Sequence, residues 1–123
     1  MFALLHYNAP YHEFDFGIDP QTKILHFVDD LQIVKDNLFE VPPLFKMIHE
    51  QSGTAWEEMY KVFNMGHRME LYVPQDIAED IIKISQSFNV DAQIVGRVEA
   101  EGDKQLTIKS EFGEFIYLSL IHI

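Results

Sequence analysis

Asn64-Met65-Gly66-His67 is the stretch where residue type and spacing come nearest to chemistry. Asparagine tolerates left-handed backbone and carries both hydrogen-bond donors and acceptors. Glycine exposes the neighbouring amide and lets backbone approach a ligand closely. A histidine at this point could bind phosphate or shuttle a proton. The same four residues would serve equally well as a helix C-terminus leading into a strand. Spacing alone leaves both readings open. Asn64, Gly66 and His67 are the candidate substrate-binding residues, and no catalytic residue or metal ligand is assigned in this chain.

Other groups point less clearly to a site. Asp29-Asp30 and Glu57-Glu58 invite a Mg²⁺ hypothesis, but adjacent acids on a helix point in different directions. Glu57 is also expected in a capping box with Thr54. His6 and His12 fit no zinc spacing. His26 sits among apolar residues and reads as a core histidine, whereas His49 is expected to face solvent at a helix end, where a cation suits the dipole. Ser52, Ser85, Ser87, Ser110 and Ser119 lack the strained glycine-flanked setting of a nucleophile. There is no glycine-rich phosphate loop. With no cysteine, thiolate chemistry and disulfides are excluded. Residues 99–103 read as a solvated turn.

These candidates need elements to hold them. Residues 1–20 have no sustained period and read as an irregular lead with one short strand near Leu4. Ile24 to Val28 is apolar on both faces, as in a buried strand. Leu31, Ile33 and Val34 predict a second strand. Pro42-Pro43 start a helix with Leu44, Phe45 and Ile48 inward, and Ser52-Gly53 ends it. The Thr54–Glu57 box starts a second helix through Val62, with Trp56, Met59, Tyr60 and Phe63 on one face. Gly66 breaks it. A strand over 68–73 stops at Pro74. Asp76 is expected to cap a longer helix with Ile77, Ile81, Ile84 and Phe88 as its apolar stripe, Ala78, Ile82 and Ser85 alongside, and Asn89 at its end. Strands follow over 92–98, 105–109 and 115–120. The order predicts an α+β fold, with helices packed on a mixed or mostly antiparallel sheet whose other face another chain or domain could cover.

Length and charge bound the function. A chain of 123 residues suggests one domain. The formal charge of −11, with nine scattered basic residues, argues against nucleic acid and anionic membranes. No apolar run reaches a membrane span, and the first five residues make a poor signal peptide, so the cytoplasm is the expected compartment. A phosphorylated substrate would need Mg²⁺, helix N-termini or a basic partner.

Leu44-Phe45-Lys46, the run from Gly53 through Glu57-Glu58-Met59-Tyr60-Lys61-Val62-Phe63-Asn64-Met65-Gly66, and Met69 together resemble the C-terminal domain of aminoimidazole ribonucleotide synthetase. That family is also called phosphoribosylformylglycinamidine cyclo-ligase. The likeness continues through Ala92-Gln93-Ile94-Val95-Gly96 to Tyr117. It is nearest to the version in Bacteroides-like bacteria, which shares Lys35-Asp36-Asn37-Leu38-Phe39. The resemblance implies a cyclo-ligase of purine biosynthesis that uses ATP to activate an amide oxygen of a phosphoribosyl amidine, closes the imidazole ring and releases ADP and phosphate. It implies a homodimer in which ATP and Mg²⁺ are bound mainly by an N-terminal domain absent here, so this piece alone would be inactive. The missing domain would supply the basic and metal-binding groups that an acidic chain lacks.

Three departures accompany the likeness. The family's glycine-rich turn is not matched at 14–20. Most relatives have an aliphatic residue and glycine where this chain has His67 and Arg68. Residues 118–123 read as one translation frame of a transposase end used in sequencing libraries. The expected organisation is therefore an unmatched lead over 1–20, the cyclo-ligase-like domain over 21–117 and a non-native tail over 118–123. Apolar strands over 24–34 are expected to be exposed without a partner and to promote aggregation. The alternative function is a non-catalytic ligand-binding or regulatory α+β module. A selenophosphate or thiamine-phosphate kinase is disfavoured by the Glu-Met-Tyr…Asn-Met-Gly string.

Overall fold

The computed structural model describes residues 2–7, 31–67, 69–99 and 103–118, with backbone alone for the first of these. The expected strand at 24–28, His12, His26, Asp29-Asp30, Arg68, Ser119 and most of the two terminal segments lie outside the described residues.

Among the described residues, six strands and three helices follow in the order β1 (Phe2–Tyr7), β2 (Gln32–Lys35), α1 (Pro43–Ser52), α2 (Trp56–Val62), β3 (Met69–Pro74), α3 (Gln75–Ser87), β4 (Ala92–Glu99), β5 (Gln105–Ser110) and β6 (Gly113–Tyr117). The strands form one mixed sheet in the order β3-β1-β4-β2-β5-β6. β1 runs parallel to β3 and β4, and β2 runs parallel to β5. The β2–β4 and β5–β6 ladders are antiparallel. This is the expected α+β class. The strand expected near Leu4 is present, between β3 and β4.

Alternation along the strands divides the core between the two faces. Tyr72 and Val95 join a large cluster with Ile33, Met59, Tyr60, Met65, Leu106, Ile108 and Tyr117, covered by α1 and α2. Their neighbours Val73 and Ile94 belong to a smaller cluster with Ala78 and Ala92 under α3. Helices of the same chain therefore cover both faces of the sheet, at least in part. Ile33 and Val34 are buried, which corrects the expectation that β2 would be exposed without a partner.

Gly96 sets the spacing between β2 and β4. A Cβ there would run into the Val34 carbonyl oxygen and come within 2.9 Å of Lys35 Cα. Both neighbours are backbone, so they cannot swing aside. Lys35 lies opposite Gly96 in the ladder, and the glycine is what lets β2 pack this close.

Local chemistry differs from the expectation at four places. Thr54 is not the cap of α2. Ala55 holds that position with no side-chain bond, and Thr54 Oγ1 pairs with Ser52 Oγ at 2.7 Å. Glu57 instead offers its backbone carbonyl to Tyr117 OH at 2.6 Å. Asp76 lies in the first turn of α3, whose cap position is Pro74. His49 is half-buried, donates from Nδ1 to the Thr54 carbonyl at 2.5 Å and stacks on Trp56, with centroids 4.0 Å apart. Trp56 in turn stacks on Phe112 at 3.8 Å.

Two apolar stripes also rotate outward. On α3, Ile77, Ile84 and Phe88 face solvent, the last 75% exposed. Ala78 and Ser85 are the buried positions, with Ile81 and Ile82 packed beside them. On α1, Leu44 is 59% exposed, while Phe45 and Ile48 pack inward as expected. The other punctuation is as read. Gly53 closes α1 at φ 71°, and Asn89 follows α3 at φ 61°. No helix among the described residues is long and apolar enough to cross a membrane.

Candidate functional site

The end of α2 is built residue by residue. Phe63 turns to extended backbone and donates its N–H to the Met59 carbonyl at 2.9 Å. Asn64 then starts a tight turn. Its backbone carbonyl accepts from His67 N at 3.1 Å, and its side-chain Oδ1 accepts from Gly66 N at 2.9 Å. Met65 and Gly66 have φ of 56° and 92°, the signs of a type I′ turn. Left-handed backbone costs a methionine steric energy that glycine avoids. Met65 accepts it because its side chain is fully buried in the large cluster. Asn64 and Gly66 remain half-buried and form the rim of this turn.

His67 is different. Its side chain is 1% exposed, so the structure places it behind the turn and not at the surface. Its Nδ1 lies 3.4 Å from Glu70 Oε2. Phe39 packs on it in a T-shaped contact, with ring centroids 5.2 Å apart. Glu70 is the hub of a buried polar group. Lys35 Nζ donates to Oε1 at 2.8 Å and to Oε2 at 2.9 Å. Tyr72 OH donates to Oε1 at 3.4 Å. Lys35 is wholly buried and Glu70 nearly so. They come from β2 and β3, which are separated in the sheet by β4 and β1.

Burial alone would push the Glu70 carboxyl up. The Lys35 charge and the His67 hydrogen bond outweigh it and hold Glu70 below its usual value. On Lys35 burial wins, and its ammonium lies below the usual lysine value despite Glu70. Among the described residues no buried side-chain nitrogen or oxygen lacks a partner. The group is thus a hydrogen-bonded polar seam inside an apolar cluster.

A cleft of about 290 Å³ opens beside this seam, between the loop after β2, α2 and the β5–β6 turn. Asn37, Phe39, Tyr60 and Ser110 line it, with Asp36, Glu40 and Glu111 against the single cation Lys109. Asn64, Gly66 and His67 are not among its walls. Phe39 stands between the cleft and His67. The structure therefore joins the three predicted residues in one turn but sets that turn apart from the cleft. Sequence reading passed over Lys35, Glu70 and Phe39 as site residues. The available signal was one charge of each sign in strands whose other residues carry no charge. No group of three acidic or histidine side chains among the described residues could hold a metal. An acidic cleft with one lysine is also a poor setting for a triphosphate.

The sequence model for "AIR synthase related protein, C-terminal domain" matches residues 29–109, which run from before β2 to the end of β5. This chain belongs to that family. The AIR synthase-related match takes in the Asn64–His67 turn and both partners of the buried ion pair. Curated relatives named phosphoribosylformylglycinamidine cyclo-ligase agree with it. The protein of Methanopyrus kandleri is 46% identical over 71 residues, 58% of this chain and 20% of the relative. That of Methanocaldococcus jannaschii is 36% identical over 86 residues, 67% of this chain and 25% of the relative. That of Lawsonia intracellularis is 36% identical over 72 residues, 57% of this chain and 21% of the relative. The matched part spans only a fifth to a quarter of these relatives. β1 lies before the residues that the family model matches.

Proposed function

We propose that this chain forms the C-terminal part of an ATP-dependent cyclo-ligase that closes the imidazole ring of aminoimidazole ribonucleotide. The observation that carries this reading is the family match across β2 to β5, with the Asn64–His67 turn inside it. Identities of 36–46% with named cyclo-ligases support the same reaction class. In this reading the complete protein is a cytoplasmic homodimer. ATP activates the amide oxygen for ring closure, and ATP and Mg²⁺ are held by a preceding domain. No group of three acidic or histidine side chains among the described residues of this chain could hold the Mg²⁺.

The turn after α2 is the chain's own contribution to a cleft completed by the other domain. Asn64 Oδ1 accepts from Gly66 N, and the asparagine, which carries both donors and acceptors, is assigned to orienting a phosphoribosyl amidine or a neighbouring loop. Gly66 keeps the rim free of side chain, so a ligand can lie against backbone. His67 is assigned to the same substrate-binding turn and acts from behind it, since its ring is enclosed.

Two variants of the full-length enzyme test the assignment. Asn64→Ala is expected to lower turnover more than tenfold while losing ~1 kcal/mol of stability per hydrogen bond removed. Asn64→Asp keeps the acceptor for Gly66 N–H and removes the donors. It is expected to keep the turn closed and still turn over slowly. Wild-type kinetics in both variants would remove the substrate-binding role. The chain by itself is expected to show no cyclo-ligase activity and no sub-millimolar affinity for the ribotide substrate.

A further inference from the structure

The buried pair of Lys35 and Glu70 is not explained by stability alone. Taking two charges out of water is costly, and apolar residues of similar volume often serve a core as well or better. A retained pair is best attested where it fixes one arrangement among several. Here the pair leads directly to the turn. Lys35 Nζ grips both carboxylate oxygens of Glu70. The carboxylate faces His67 Nδ1 at 3.4 Å and receives the Tyr72 hydroxyl on its other oxygen. His67 N then bonds the Asn64 carbonyl, which closes the turn. Phe39 meets the imidazole in a T-shaped contact and limits where the ring can lie. Gly96 adds the backbone condition, because only a glycine opposite Lys35 lets β2 lie close enough to β4.

We propose that Lys35 is a positioning residue for the Asn64–Gly66 turn, acting through the Glu70 carboxylate and the His67 ring. The turn needs such support. Its two left-handed residues, Met65 and Gly66, sit between a seven-residue helix and the start of β3, and a type I′ bend can relax if either end shifts. Met65 pins the turn from the apolar side, and His67 pins it from the polar side. Lys35 reaches the turn through the Glu70 carboxylate and the His67 ring. The catalytic consequence rests on the cyclo-ligase reading. The structural consequence does not.

The test separates the two. In this chain, amide hydrogen exchange is followed at Gly66 and His67 and at β5 as a reference, alongside the urea midpoint. Local opening raises exchange at the turn without touching the reference, whereas global destabilisation raises both. The double variant Lys35→Met with Glu70→Leu removes the seam while keeping its volume apolar. It is expected to hold its urea midpoint and to speed turn exchange at least tenfold. His67→Leu keeps the ion pair and cuts its link to the turn. It is expected to speed the turn equally, and combining it with the double variant should add less than twofold. Unchanged turn exchange in His67→Leu, or exchange that rises equally at the turn and at β5, would overturn the proposal. If the double variant does not fold, the same two readouts on His67→Leu and on Glu70→Gln decide it. In the full-length enzyme the double variant is expected to lower kcat more than it raises KM. Loosened turn exchange with wild-type kinetics would retain the positioning role and reject the cyclo-ligase site.

Discussion

α2 and α3 start from similar sequences and meet the sheet in opposite ways. Each carries aromatic or branched apolar residues at spacings of three and four. In α2 that stripe is the buried face, since Met59 and Tyr60 are enclosed and Trp56 and Phe63 pack beside them. In α3 the corresponding stripe of Ile77, Ile84 and Phe88 faces outward. α3 carries two overlapping stripes one residue apart, and the inner one is Ala78, Ile81, Ile82 and Ser85. Ala78 opposes small and medium residues of the sheet and lets the helix lie close. Ser85 Oγ donates to the Val90 carbonyl at 2.7 Å, while Val90 N donates to the Ser85 carbonyl, so the serine must face inward to close the helix. A polar residue with a specific partner therefore outweighed two larger apolar ones. Period alone does not choose between stripes when both run along the helix.

The same contrast orders the expected effects of substitution. The largest lies in the seam beneath α2. Lys35→Met alone leaves the Glu70 carboxylate buried without its main counter-charge, and losses of this kind run to ~3–5 kcal/mol by urea unfolding. A loss under ~1 kcal/mol would show that water reaches the seam, and the contrast between the two sides would then weaken. The acid limb sharpens the point. Glu70 is held below its reference value of 4.5, so its stabilisation is complete above that pH and is lost as pH falls through the lower folded value. Wild type should lose urea stability below pH 4.5 more steeply than the double apolar variant.

Met59→Ala comes next, at about 2–5 kcal/mol, because its site is fully enclosed and ringed by large side chains. Tyr117→Phe removes the bond from β6 to the Glu57 carbonyl on α2 and should cost ~1 kcal/mol in thermal unfolding. Burial, with help from Glu57 and Glu58, already holds this phenol well above its usual ionisation. At the small end, Ile84→Ser and Phe88→Ser on the outer stripe of α3 should each shift stability by no more than ~0.5 kcal/mol. A loss of 2 kcal/mol or more at Phe88 would mean that this face is covered in solution, a magnitude typical of buried large apolar side chains.

The punctuation of the chain was legible in its residues. Pro43 at the first position of α1, Gly53 in left-handed backbone after it, Asn89 after α3 and Pro74 at the end of β3 act locally, through φ restrictions that need no neighbour. The turn at Asn64–Gly66 was legible for the same reason. The Thr54–Glu57 cap was not, because Ser52 offered Thr54 a nearer hydroxyl. His49 could not be placed from its helix alone, because Trp56, which stacks on it, lies beyond the chain reversal at Gly53.

What the sequence determined by itself was the order of elements from β2 onward, the α+β class, the turn at the end of α2 and, through the Glu-Met-Tyr…Asn-Met-Gly string, the family. Those depend on local dihedral preference and on contiguous residue identity. Only the tertiary structure decided which stripe of α3 is buried, that His67 is enclosed, and that Lys35 and Glu70 meet. The last pair is 35 residues apart, on strands with two others between them. No local preference encodes such a meeting. It follows from the sheet order and from the requirement that a charge inside an apolar cluster find its partner.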